Sequence, residues 1–337
     1  MKIKINDRFY FSFDEIAITY KLDSVASGFS FKARFNPNNE FHKAIFKPLQ
    51  YQKVQIFNNN DELQFTGNII NTSLNSQSVN ELQSVSGYSK AGILEDVTIP
   101  FSSYPLEKNN VSLSDIATSL LTPFGLTFSV TNNVANDMNI NYSKTTAGVT
   151  ENIKSYLSKL AAQRNIIITH DVNGDLVFTR PDITALPKYF FNDTNTLKMN
   201  LSVNGQAMHS QIDVIRQPSK NNIGVSTVDS ATNSLVNANR PTVKILTSGD
   251  EVDTGKAANN ILANELKGIG LSIALKNILD IKCGDIVEVQ NDEVFLYSRT
   301  RFIVSEVSIK ETVNADTMTL KLVLPETFTG DGAVVIW

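Results

Sequence analysis

The hydrophobic period of this chain changes twice. From residue 1 to 86 apolar residues alternate with polar ones. Lys2-Ile3-Lys4-Ile5, "FYFSF" (9–13), "FSFKARF" (29–35), "KVQIFN" (53–58) and "LQFTGNII" (63–70) each put bulky side chains on one face. That is the pattern of half-buried strands. The run Asn58-Asn59-Asn60-Asp61-Glu62 between two of them is a hairpin loop. Several short strands at this spacing predict a small barrel or sandwich.

Helical spacing then takes over. "SLSDIATSLLTPFG" (112–125) gathers Leu113, Ile116, Ala117, Leu120 and Leu121 on one face. Ser112 and Asp115 have the spacing of a capping box, and Pro123 with Gly125 ends the helix. "TENIKSYLSKLAAQR" (150–164) is built alike, with Thr150 as the expected cap. "NIIITHDVNGDLVFTRP" (165–181) predicts a strand, a turn at Asn173-Gly174 and a second strand.

After Pro187 alternation returns, at 197–204 and 210–217, then in "LSIAL", "DIVEVQ", "RFIVSEVSIKE" and "TMTLKLVL". Residues 218–239 are polar and aperiodic and read as a long loop. A third helix is expected over 254–267, with Gly268 placed to stop it. No sequence repeat is visible, but the plan echoes itself: strands, helical unit, strands. The expected class is therefore α+β, mainly β. The expected parts are a first β-barrel over 1–98, a small α+β domain over 99–188, a second barrel over 189–329 carrying the inserted helix 254–267, and a hydrophobic tail over 330–337. Strands from about 190–217 are available to complete the first barrel.

Charge narrows the function. Lys and Arg number 30 against 34 Asp and Glu, a net charge of −4, and no basic stripe forms. Binding to nucleic acid by counterion release is excluded as a main role. Cys283 is the single cysteine, which excludes a disulfide framework within the chain and a Cys-rich zinc site. The start, "MKIKINDRFYFSFDE", lacks the apolar core of a signal peptide, and no run approaches the ~18 apolar residues of a membrane span. Synthesis in the cytoplasm without membrane anchoring is expected.

Candidate reactive residues are few. His42, His170 and His209 are far apart in sequence and in none of the metal-ligating spacings. Cys283 has no local base and reads as a small apolar residue at a turn. Asp171, Asn173 and Asp175 alternate oxygen donors, but an EF-type Ca²⁺ loop needs twelve residues and a closing Glu, so a hairpin turn is the better reading. Glu95-Asp96 are adjacent acids in a loop, whereas paired catalytic carboxylates face each other from separate segments. No catalytic, cofactor-binding or metal-binding residue is assigned, and no cofactor is expected. The end is different: Val334, Val335, Ile336 and Trp337 close an acidic, turn-rich stretch on the one tryptophan of the chain. They read as a docking tail for another protein, since aromatic residues are enriched at interface hot spots.

"GYSKAGILEDVTIP" (87–100) fits neither strand nor helix. It resembles the phrase that ends the first barrel in baseplate hub proteins of contractile phage tails. These are the Mu-like tail protein P group, related to the late-control D proteins and to the hub of T-even phages. Gly87, Ser89, Lys90, Leu94 and Asp96 fit that phrase. "LDSVASGFSFKARF" (22–35), "LQFTGNI" (63–69), "NRPTVKI" (239–245), "KCGDIVEVQNDE" (282–293) and "TMTLKLVLPETF" (317–328) resemble further family segments in the same order. So does "LSKLAAQRNIIITHDVNGDLVFTRP" (157–181), with Asn165 where the family pattern has a glycine. Tryptophans common near the family's closing strands are replaced by Ile278-Leu279, and the tail beyond Phe328 is not a family feature.

The resemblance implies two tail-tube-like barrels per chain and three chains in a ring that adapts a sixfold tail tube to a threefold spike. It implies a structural protein, not an enzyme, located in the virion's tail baseplate. Its implied partners are itself, as a homotrimer, the tail tube protein, the central spike protein and other baseplate proteins. DNA or a tape-measure protein would pass through the channel without specific binding. The alternative is a tail-associated cell-wall-degrading enzyme or carbohydrate-binding module, for which one would expect carboxylates or aromatics in a cleft.

Overall fold

The computed structural model describes residues 1–76, 82–216, 228–246, 254–330 and 336–337. The chain opens with β1 (Lys2–Ile5), β2 (Arg8–Tyr10), β3 (Phe13–Lys21), β4 (Gly28–Ala33), α1 (Glu40–Ile45), β5 (Lys53–Phe57), β6 (Leu63–Ser73) and β7 (Gln83–Ser89). The alternating residues do what their period requires: Ile3, Ile16, Phe31, Ile56, Phe65 and Val85 enter one core. Two details differ from the sequence reading. "FYFSF" is not one strand, because the chain leaves β2 at Tyr10 and re-enters at Phe13. The short helix α1, capped by the Asn39 side chain, lies in a stretch with too few periodic residues to announce it.

A helical unit follows: α2 (Ile93–Asp96), β8 (Glu107–Ser112), α3 (Leu113–Leu121), β9 (Phe128–Val130), α4 (Ala135–Asn139), β10 (Asn141–Thr146), α5 (Ile153–Ala162), β11 (Ile167–His170) and β12 (Leu176–Thr179). The Ser112–Asp115 capping box is present in full, and Gly125 ends the following turn at φ +62°. Asn152, not Thr150, caps α5. Its side chain accepts from Ser155 N at 2.7 Å, three residues on, which Thr150 is too far upstream to reach. Ile116 and Leu120 of α3 meet Leu157 and Leu160 of α5 in a core that also takes in Val25, Ala91, Leu94 and Ile99. The unit's core therefore begins at residue 91 and borrows Val25 from the β3–β4 connection.

The last part holds β13 (Tyr189–Phe191), β14 (Lys198–Val203), β15 (Gln211–Arg216), β16 (Val228–Thr232), β17 (Pro241–Leu246), α6 (Thr254–Glu265), β18 (Ile269–Leu275), β19 (Ile286–Asn291), β20 (Leu296–Thr312) and β21 (Asp316–Val323). The stretch read as a loop over 218–239 contains β16, whose polar "VDSAT" hides a strand held by its neighbour β15; residues 218–227 lie outside the described residues. β15, β16 and β17 form a separate three-stranded sheet covered by α6, with Ile212 and Val214 against Ala258 and Leu262. The strands at 189–216 pair with β16 to β19, not with β1 to β7.

Among the described residues the main sheet has thirteen strands, and its order reveals the echo that the sequence only suggested. The first half runs β3-β4-β7-β6-β5-β1, ending on β2. The second runs β14-β18-β21-β20-β19-β13. With β2 left out of the first half and β15–β17 out of the second, both halves read second, third, sixth, fifth, fourth, first of their own strands. They differ where β1 pairs β5 antiparallel but β13 pairs β19 parallel, and in the β15–β17 and α6 insertion between β14 and β18. Each half has its own core. The halves are joined by β3 and the far end of β20, antiparallel from Glu306 opposite Lys21 to Thr312 opposite Glu15. Thr19 and Ser308 hydroxyls lie 3.0 Å apart across this joint. The fold is thus mainly β with helices, of the α+β class.

Candidate functional site: the inter-domain junction and the outer surfaces

The phrase at 87–100 is the junction between the first half and the helical unit, and several of its residues have a task. Gly87 lets β7 approach β6 and Phe29: a Cβ there would sit 1.9 Å from the Asn68 carbonyl oxygen. The buried Ser89 donates its hydroxyl to the Val25 carbonyl, and its amide donates to Ser27 O at 2.8 Å. The chain then turns, so that Ala91 and Leu94 drop into the helical unit's core. The carbonyl of Glu95 accepts from Asn152 Nδ2 (3.0 Å) and that of Val97 from Ile153 N (3.1 Å). The first amide of α5 is thereby satisfied by the junction.

The "DVNGD" turn closes the junction from the other side. Asp171 Oδ1 accepts from Asn173 N (2.9 Å) and Asp175 N (3.0 Å), so its carboxylate is spent on the turn. Gly174, at φ +81°, lies against the first half: a Cβ would meet Lys90 Cβ at 2.6 Å and Thr66 O at 2.8 Å. Lys90 Nζ donates to Asp175 Oδ1 at 2.8 Å, and Thr127 N donates to the same oxygen at 3.2 Å. Burial pushes the Asp175 carboxyl up, but the bonds from Lys90 and Thr127 outweigh it and hold the group below the usual carboxylate range. A depressed native value means that this carboxylate adds stability above its unfolded value near ~3.9 and loses it as pH falls through the native one. Lys90→Met is therefore expected to lower the melting temperature at pH 7 and to narrow its gap from the wild type at pH 3. An equal gap at both values would show that the pair adds nothing.

Arg180 is a residue that sequence reasoning passed over as a signature letter. Its guanidinium donates to the carbonyls of Asn165 (3.0 Å), Arg164 (2.7 Å) and Asn133 (3.3 Å) and to Asp137 Oδ2 (2.9 Å). It ties the α5–β11 turn to α4. Asn165, where the family pattern has a glycine, sits at φ +52°, a conformation Asn tolerates better than most side chains.

The residues weighed for chemistry are not brought together. His42 is buried beside Tyr10 and Phe46, and its Nδ1 accepts from Asn36 N at 3.0 Å. His170 donates Nδ1–H to the Asp171 carbonyl at 2.8 Å, edge-on to Phe65, and burial pushes its imidazole down. His209 Nδ1 contacts Glu265 Oε1 at 2.8 Å, bracing β15 against the end of α6. Burial pushes the Cys283 thiol up to about 12, which disfavours the nucleophilic thiolate. Glu95 lies 3.7 Å from Lys154 Nζ, and Asp96 accepts from the Tyr88 hydroxyl. Among the described residues no group of three or more His, Cys, Asp or Glu could hold a metal ion, and no helix is long and apolar enough to cross a membrane.

The outer surfaces are more telling. Phe11 is 73% exposed and stacks on Phe9 at the β2 edge; Phe101 is 87% exposed and packs on Tyr104 at 5.1 Å. Phe295 and Tyr297 form another exposed pair at the start of β20. Of the tail, Val334 and Val335 lie outside the described residues. Ile336 is half-buried against the second half's core and Trp337 is 47% exposed.

Residues 91–180 match the family described as baseplate hub protein gp44-like, second domain. A comparison with curated proteins found no match. Among solved structures, the 43 kDa tail protein of prophage MuSo2 from Shewanella oneidensis superposes with a TM-score of 0.79 at 19% identity, covering 97% of this chain and 99% of that one. The tail protein from Neisseria meningitidis MC58 does so with a TM-score of 0.79 at 17% identity, covering 98% of each. The E. coli c3393 protein is described as a type VI secretion component with structural similarity to the T4 tail proteins gp27 and gp5. It gives 0.59 at 11% identity, over 100% of this chain and 80% of that one. The matched segment starts at Ala91, where the helical unit's core starts. Residues 91–180 thus match the gp44-like baseplate hub second-domain family, and the chain as a whole shares its fold with the tail proteins of prophage MuSo2 and Neisseria meningitidis MC58.

Proposed function

We propose that this chain is the structural hub of a phage tail baseplate or a related contractile injection system. It acts as a homotrimeric ring that adapts a sixfold tail tube to a threefold spike. The observation that carries this reading is the pair of halves with one strand order, each around its own core, joined edge to edge in one chain. Two tail-tube-like barrels per chain and three chains give six similar positions around a channel. The tube protein would sit above, the spike below and other baseplate proteins around the helical unit. DNA or a tape-measure protein would pass through a neutral to acidic channel, in keeping with the net charge of −4. Light scattering tests the reading: it predicts a trimeric mass, and electron micrographs with a central hole. A monomer at high concentration with the spike protein present would overturn it, as would digestion of cell-wall material in a zymogram.

The tail over 330–337 is proposed to dock an adjoining tail component through Trp337, which a partner's pocket would bury with a gain of about 2 kcal/mol. Deleting residues 333–337 is expected to cost the isolated protein only the partial packing of Ile336 on the second half, a small fall in melting temperature, and to weaken that attachment. A large fall in melting temperature would assign the tail to the chain's own core.

A further inference from the structure

The strand-order repeat specifies which edges two neighbouring copies share. β6 and β20 hold the same place in their halves. Each pairs its first part with the preceding strand on one flank, β6 with β5 up to Asn68 and β20 with β19 up to Ile303. Each then slips register by one residue against the following strand, between Ile69 and Asn71 in β6 and between Val304 and Glu306 in β20. Beyond the slip, β20 receives β3 on its free flank. Beyond the slip in β6, from Asn71, β7 is the sole paired neighbour among the described residues. β14, the counterpart of β3, likewise pairs with β18 alone among the described residues.

The ladders fix the correspondence residue by residue. Gly87 stands opposite Ile69 and Phe29, and Phe29 opposite Ile18. Leu322 stands opposite Val304 and Leu271, and Leu271 opposite Leu201. Leu201 therefore takes the place of Ile18, Ser202 that of Thr19 and Val203 that of Tyr20. In the same count Thr72 takes the place of Val307, Ser73 that of Ser308 and Leu74 that of Ile309.

We propose that a second copy of this chain adds its β14, antiparallel, to the free flank of β6. Thr72 then faces Val203, Ser73 faces Ser202 and Leu74 faces Leu201. This rests on the hub reading and names the surface that closes the ring. The side chains suit the pairing. The Thr19–Ser308 hydroxyl contact of the internal joint becomes Ser202 with Ser73, again two hydroxyls. Leu74 and Val203, 46% and 47% exposed in the single chain, come under cover. Two strand flanks that are unpaired among the described residues, a hazard in a monomer, are satisfied by each other in a head-to-tail ring.

The test is the double variant Ser73→Cys, Ser202→Cys, with each single variant as control. Both positions lie on the surface side of their strands, so the fold is preserved. Directly opposed residues in adjacent strands are within disulfide reach. Mild oxidation of the double variant is expected to give reductant-sensitive dimers and trimers on a denaturing gel. The crosslinked fraction should be about tenfold or more above either single variant, because pairing raises the local thiol concentration. A trimer by light scattering with no more crosslinking than the single variants would overturn this strand pairing and leave the hub standing. A monomer by light scattering would overturn the hub reading, and this pairing with it.

Discussion

Leu157→Asp is expected to unfold the domain over 91–180. Leu157 is fully buried between α3 and α5. The substitution removes a packed isobutyl group and leaves a carboxylate with no partner in an apolar core. The combined loss is about 5 kcal/mol, comparable to the whole stability of a small domain. Because Val25 of the β3–β4 connection belongs to the same core, damage reaches the first half as well. Urea denaturation followed by circular dichroism should show a lost or much lower first transition, or the protein should be insoluble. Ser155→Asp, exposed two residues away on the opposite face of α5, should change stability by no more than ~0.5 kcal/mol. A soluble Leu157→Asp protein with an unchanged midpoint would mean that the buried face of α5 has been misassigned.

Gly87→Ala is expected to be a strongly damaging single-methyl change in the β sheet. The added carbon would sit 1.9 Å from the Asn68 carbonyl oxygen and 2.8 Å from the Phe29 ring, so β7 must move away from both neighbours. Overpacking of this kind costs about 3 kcal/mol. Gly28 supplies the comparison. It lies in the adjacent strand, and a methyl there meets its nearest atom, the Gly87 carbonyl oxygen, at an ordinary 3.8 Å. The melting temperature should fall by roughly 5–10 °C for Gly87→Ala and hardly change for Gly28→Ala. Equal melting temperatures would show that the junction yields without cost.

Local structure was legible in the sequence wherever one side chain decides it. The Ser112–Asp115 box, the Gly125 stop and the Asn173-Gly174 turn stand as read. The reading failed where two residues compete for one task, as Thr150 and Asn152 do for the start of α5. It failed too where a strand carries few apolar residues, as β16 does. Periodicity reports which face of a strand is buried and says nothing about which strand lies beside it. For that reason the sheet order, and the passage of the joint through β20 instead of the strands near 190–217, could not be read from residues. The junction phrase was recognised as a motif, but its partner, the "DVNGD" turn, lies some 80 residues away. Only the fold brings Lys90 to Asp175.

The β3–β20 joint has a consequence for how such a ring behaves when diluted. Its two strands belong to one polypeptide, so forming it is a unimolecular step whose equilibrium does not depend on protein concentration. A seam between separate copies obeys mass action and opens as the concentration falls. In the proposed ring the two kinds of seam alternate. Thinning the solution would therefore release fused pairs of halves and never a single half, and the loss of one neighbour would leave every remaining joint of the first kind closed.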